Sequence, residues 1–267
     1  MLLYDFEYDG IKLSDKGYMI CSGSGGIETS TNGAKINFVT VPIRQGQQNE
    51  FITSNYTECV TATFSICKKP CDNEDIFITL KDFNNMAAWL NRRKFHIFKV
   101  YDKSYGENIC FNASFNVTKQ ETNGKIYAIQ LEMITDRPHA FLEEKYIRNF
   151  ANIIEANTPF EYEGLSNEEG YTYISTTIMP KSDGDLILTN NRDPYNNIII
   201  KNCISNEIID INYPMIETDE PSHDIFKDFN WNFPKLINTY DNKINTFQVN
   251  MRCRIGMTYY PIVKIGM

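Results

Sequence analysis

Leu3-Tyr4-Asp5-Phe6-Glu7-Tyr8-Asp9-Gly10 alternates aromatic and acidic residues and then stops at Asp-Gly. A strand turns successive side chains to opposite faces, so this period of two predicts a β-strand. Asp-Gly supplies the positive φ angles of a tight hairpin turn, and Ile11–Leu13 reads as the return strand. The same grammar recurs downstream. Strands are predicted at Gly17–Cys21, at Lys35–Val41 (stopped by Pro42), over Tyr56–Ile66, and over Phe95–Tyr101. Ile109–Val117 and Lys125–Ile134 form a further pair, separated by the hairpin dipeptide Asn123-Gly124.

One segment departs from this period. Phe83, Met86, Ala87 and Leu90 sit at i, i+3, i+4 and i+7, a single apolar stripe that predicts a helix near residues 82–93. Asp82 at its start and Arg92-Arg93 at its end both complement the helix dipole.

A second block opens near Thr158-Pro159. Short strands recur there at Thr172–Met179, Asp185–Thr189, Asn197–Asn202, Glu207–Asn212, Thr246–Ile255 and Tyr259–Lys264, with Asp183-Gly184 and Asn190-Asn191 between them as turn signals. Short strands at such spacing suggest a β-sandwich. The reading is therefore a mainly β chain. An N-terminal domain covers residues 1–140, a linker or short edge element covers 141–157, and a sandwich covers 158–267.

Composition bounds the function. Of 267 residues, 42% are hydrophobic and 22% charged, ordinary for a folded protein, and the aromatic share of 13% favours sheet. The formal charge of −8 argues against a nucleic-acid binder, which needs a basic footprint. The one basic cluster, Arg92-Arg93-Lys94, is explained by the helix end. The start of the chain has no basic and apolar leader, so folding in a cytoplasm is expected. The seven cysteines are odd in number and scattered, which fits reduced, buried thiols.

The sequence presents no complete reactive motif. Gly23–Gly26 lacks the Gly-Lys-Ser/Thr ending of a phosphate loop and reads as a turn. His96, His139 and His223 have no neighbouring nucleophile that suggests a triad. Cys67 and Cys71 make half a metal site, with no second pair to complete it. No catalytic, cofactor-binding or metal-binding residue is assigned, and no cofactor is expected. Trp231, within Phe229-Asn230-Trp231-Asn232-Phe233-Pro234, either packs on the flanking phenylalanines or stacks on a sugar ring.

Three stretches carry a resemblance. They are Tyr4–Asp15, the Met86-Ala87-Ala88-Trp89-Leu90 helix followed by Lys99-Val100-Tyr101-Asp102, and Asp228–Asn238 with Asn245 and Tyr259-Tyr260-Pro261. In their order and spacing they resemble the distal tail proteins of long-tailed, non-contractile bacteriophages. The resemblance implies an N-terminal, split-barrel-like β domain and a C-terminal galectin-like sandwich. It implies a homohexameric ring at the virion tail tip, made in the host cytoplasm. That ring would join the tail tube protein to the tail-associated hub protein and to receptor-binding or baseplate proteins. DNA would cross it without specific binding, part of the negative charge would line its channel, and no membrane is implied. The polar stretches around Gly23, Gly25 and Gly26, and around Arg44, Gln45, Gln47 and Gln48, are the expected contacts with the adjacent protomer. The alternatives are a carbohydrate- or receptor-binding sandwich module and a cell-wall hydrolase.

Overall fold

The computed structural model describes residues 3–21, 35–42, 49–70, 76–102 and 108–264. Its contacts divide the chain into two units, Met1–Leu142 with Lys264–Met267, and Glu143–Val263.

In the first unit the strands are β1 (Leu3–Tyr8), β2 (Ile11–Lys12), β3 (Tyr18–Cys21), β4 (Ile36–Pro42), β5 (Asn49–Tyr56), β6 (Thr61–Lys68), β7 (His96–Asp102), β8 (Ile109–Thr122), β9 (Lys125–Thr135) and β10 (Ala140–Leu142). The main sheet runs β2-β1-β7-β8-β9-β6-β3 and is antiparallel throughout. In a flat sheet β1 and β6 would lie roughly 19 Å apart, four strand spacings. Yet the rings of Phe6 on β1 and Phe64 on β6 are 5.9 Å apart. The sheet therefore curls on itself into a barrel-like form around an aromatic core of Phe6, Tyr8, Phe98, Phe111 and Phe115. This realises the opening alternation, because Phe6 and Tyr8 point inward while Tyr4 stays exposed near the strand start.

The helix α1 (Leu80–Leu90) begins at Thr79, whose hydroxyl accepts from the Asp82 amide at 3.1 Å. That bond satisfies one of the orphan donors of the first turn. Arg92 Nε donates to the Trp89 carbonyl at 3.0 Å, closing the other end. The buried face comprises Met86, Trp89 and Leu90, so it is rotated from the expected stripe toward Trp89. The Trp89 indole lies against Phe6 and donates to the Tyr8 carbonyl at 3.3 Å.

In the second unit the strands are β11 (Lys145–Arg148), β12 (Ile153–Ile154), β13 (Phe160–Glu163), β14 (Gly170–Tyr173), β15 (Ser175–Pro180), β16 (Gly184–Asn190), β17 (Ile198–Cys203), β18 (Ile209–Asn212), β19 (Met215–Thr218), β20 (Lys235–Asn238), β21 (Ile244–Val249), β22 (Cys253–Tyr259) and β23 (Ile262–Val263). A short helix, α2 (Ile225–Asp228), precedes β20. One sheet runs β11-β22-β15-β18-β19 and a second runs β13-β21-β16-β17. Ile178, Ile209, Ile211, Ile255 and Met257 of the first meet Leu186, Leu188, Ile198, Ile200, Phe247 and Val249 of the second in one buried core. This is the expected sandwich.

Several segments differ in detail from the sequence reading: Thr172–Met179 is split between β14 and β15, and Tyr56–Ile66 spans the end of β5 and most of β6. Residues 141–157, read as a linker or edge element, carry β11 and β12, both paired to β22. Thr246–Ile255, read as one strand, is two strands in different sheets. The reason is parity. Buried Phe247, Val249, Cys253 and Ile255 are all odd-numbered, so the alternation runs unbroken through the turn that separates the strands. The Asn250 side chain fixes that turn, accepting from Ile187 N at 2.7 Å and donating to the Asp185 carbonyl at 2.9 Å.

Candidate assembly and recognition surfaces

The β4–β5 ribbon is the first candidate surface. Among the described residues its two strands pair only with each other, in register from Ile36↔Tyr56 to Pro42↔Asn49, with Ile52 as the extra residue of a bulge. Phe38 and Phe51 are 63% and 58% exposed, and their rings touch across the strands at 6.2 Å. Ile36, Val39, Val41 and Ile52 are exposed as well. Phe38 and Val39 are neighbours in a strand, so they point to opposite faces. Both faces of the ribbon are thus apolar and uncovered. A two-stranded ribbon is marginally stable alone in water, and uncovered apolar surface of this kind marks a contact site.

The second surface is the turn holding Trp231. This tryptophan is 50% exposed and adopts φ 60°, the left-handed region. A non-glycine residue is strained there. Two flanking amides hold the turn. Asn230 accepts from Ile199 N at 3.1 Å and donates to the Asn197 carbonyl at 2.8 Å, and Asn232 donates to the same carbonyl at 3.1 Å. The indole packs beside Phe226, Phe229 and Phe233 at 5.7–6.4 Å, so it packs and is presented to solvent at once.

The histidines are scattered. His96 Nδ1 lies 3.4 Å from Asp9 Oδ1. Burial, with Arg137 nearby, pushes His139 down to about 4. His223 is buried with Glu207, Nδ1 to Oε2 at 2.8 Å, while Nε2 faces the Lys201 carbonyl at 2.9 Å. Cys67 is a free thiol beside Cys21. Among the described residues no group of three or more His, Cys, Asp or Glu could hold a metal ion, and no helix is long and apolar enough to cross a membrane. Gly23, Gly25, Gly26, Arg44, Gln45, Gln47 and Gln48, expected at a protomer contact, lie outside the described residues.

The sequence is matched over residues 1–137 by a family described as the phage tail protein N-terminal domain, and over residues 140–259 by one described as the phage tail C-terminal domain. The chain belongs to this family of phage tail proteins. No curated protein matches it. The tail protein's fold is similar to that of the Dit protein (gp 19.1) of phage SPP1, described as a paradigm of the hub adsorption apparatus in phages infecting Gram-positive hosts. That likeness has a TM-score of 0.64 at 10% identity, over 97% of this chain and 99% of the other. A chain of the phage P2 baseplate, in its activated conformation with calcium, matches with a TM-score of 0.47 at 9% identity, covering 98% of each chain. The expectation of a phage tail protein thus holds through the family match, the fold is similar to that of the SPP1 Dit protein, and the tail protein is a structural component of a phage tail.

Sequence reading missed the exposure of Phe38 and Phe51. The signal was present: Phe38-Val39 and Phe51-Ile52 are apolar at consecutive positions, so one member of each pair must face away from any one-sided core.

Proposed function

We propose that this tail protein is a ring-forming component of the virion tail tip, six copies joining the tail tube to the hub and host-recognition apparatus. The observation that supports it most directly is the uncovered β4–β5 ribbon. Its apolar faces suit a neighbouring copy, which could bury Phe38 and Phe51 and extend the ribbon, paired with no other strand among the described residues, by main-chain hydrogen bonds. The number six comes from the resemblance to distal tail proteins, as do the tube, hub and baseplate partners. The net charge of −8 suits a channel that DNA crosses without sticking. Membership of the phage tail family supports a structural role over an enzymatic one.

Light scattering of the purified protein across a concentration series tests this. A mass near six chains is expected at high concentration. Phe38→Asp with Phe51→Asp should return the mass to one chain with the fold intact. A double variant that assembles as well as the parent would overturn the ribbon as the contact. A stable assembly of another number would overturn the hexamer.

A further inference from the structure

A continuous band of aromatic rings crosses the second unit, with Phe233 packed against the edge of its sandwich core. Tyr171 and Tyr173 lie on β14, Tyr213 in the β18–β19 turn, Phe226 on α2, and Trp231 and Phe233 on the segment entering β20. Ring follows ring: Tyr171 to Tyr173 at 5.4 Å, Tyr173 to Tyr213 at 3.9 Å, Tyr213 to Phe233 at 5.2 Å, Phe233 to Trp231 at 6.4 Å, and Trp231 to Phe226 at 6.1 Å. Tyr171, Tyr213, Phe226 and Trp231 are each about half exposed. Packing alone does not account for them, because burying these rings would remove more apolar surface from water.

We propose that this band is a binding site for a glycan chain, with Trp231 and Tyr213 as its stacking platforms. Three observations select that ligand. First, Trp231 and Tyr213 are each about half exposed, and the negative face of an aromatic ring attracts the positive C–H edge of a pyranose. Second, the band brings its own hydrogen-bonding groups. The hydroxyl of Tyr173 meets those of Tyr171 and Tyr213, and burial together with these bonds pushes Tyr173 up to about 12. The Lys235 ammonium sits 4.9 Å above the Tyr171 ring and 5.7 Å from the Tyr173 ring. Phenol hydroxyls and a single ammonium complement a polyhydroxylated chain that is neutral or weakly acidic. One ammonium is too little charge for nucleic acid or an anionic bilayer. Third, the two Asn side chains that clamp the turn hold Trp231 outward in a left-handed conformation, at a cost that core packing does not require.

The chain's two tryptophans allow a direct readout, because Trp89 is buried in the other unit while Trp231 is half exposed. The full chain is applied to an array of neutral and phosphate-containing bacterial wall polysaccharides, with maltohexaose and chitohexaose as soluble probes. Saturable binding to at least one glycan class is expected, with a shift of Trp231 emission to shorter wavelength. Trp231→Ala and Tyr213→Ala should each weaken that binding at least tenfold, while Trp231→Tyr retains most of it. Urea midpoints of the variants report whether they fold. Absence of binding to every glycan, or binding unchanged in both alanine variants, overturns the site. Loss of another purified tail protein from the Trp231→Ala variant, with no glycan bound by the parent, would show a protein interface instead. These readouts do not depend on assembly, so failure of the ring reading leaves them interpretable.

Discussion

His223 and Glu207 meet in the core with side chains 1% and 0% exposed and Nδ1 2.8 Å from Oε2. The carboxylate also accepts from Ile204 N at 2.8 Å and from the Thr218 hydroxyl at 2.9 Å, and the ring reaches the Lys201 carbonyl. One interaction set thus ties together the end of β17, the approach to β18, β19 and the lead into α2. Removing one member leaves the other buried with too few partners. His223→Ala should lower stability by about 3–5 kcal/mol, the usual cost of breaking a buried pair. Urea unfolding of the full chain, followed by far-UV circular dichroism, reads it; a loss under about 1 kcal/mol would show that Glu207 finds solvent or another donor.

Burial and the nearby Arg137 hold His139 down to about 4, below its unfolded value of 6.5, while Asp136 acts weakly in the other direction. Between those values the unfolded chain binds a proton that the folded chain refuses. Stability therefore rises with pH across this window: it is complete above about 6.5 and falls as pH drops toward 4. His139→Phe should flatten that slope. Urea midpoints at pH 7, 6, 5 and 4 for both proteins check it, and an equally steep slope in the variant would remove His139 as the cause.

Gly256 lies on β22 against Phe150. A Cβ added there would sit 2.8 Å from Phe150 Cβ, closer than real side chains approach. Gly256→Ala should destabilise the second unit by roughly 1–3 kcal/mol through overpacking. Hydrogen exchange along β22 and β15 is the direct measurement, and faster exchange is expected there than in β8 and β9.

Thiol reactivity should follow burial. Cys59 is exposed, whereas burial pushes Cys203 up to about 12 and Cys253 up to about 11. Iodoacetamide at pH 8, followed by mass spectrometry, should label Cys59 well before Cys203 or Cys253 in the native protein. Comparable labelling of all three without denaturant would show that the sandwich core opens.

Sequence by itself determined the elements that local rules control. The alternation at Tyr4–Tyr8, the Asp9-Gly10 turn and the Asn123-Gly124 turn are all present, with Asp9, Gly10, Asn123 and Gly124 at the positive φ such turns demand. The helix was legible because a period of 3.6 residues is a local property, as is capping of its first turn by Thr79. Family membership was legible too, through the order of short stretches along the whole chain.

Tertiary structure decided the rest. Parity alone could not show that β21 and β22 belong to different sheets, because the odd-numbered apolar series continues through Asn250. Strand propensity could not show that Phe38 and Phe51 face solvent, since an exposed ribbon and a buried strand use the same residues. Nor could it unite Tyr171, Tyr213, Phe226 and Trp231, which lie up to 60 positions apart in the sequence and meet only when β14, the β18–β19 turn and α2 pack together. Nor could it bring His223 and Glu207 together in the core, since burial is a property of neighbours remote in sequence and local patterning carries no record of them.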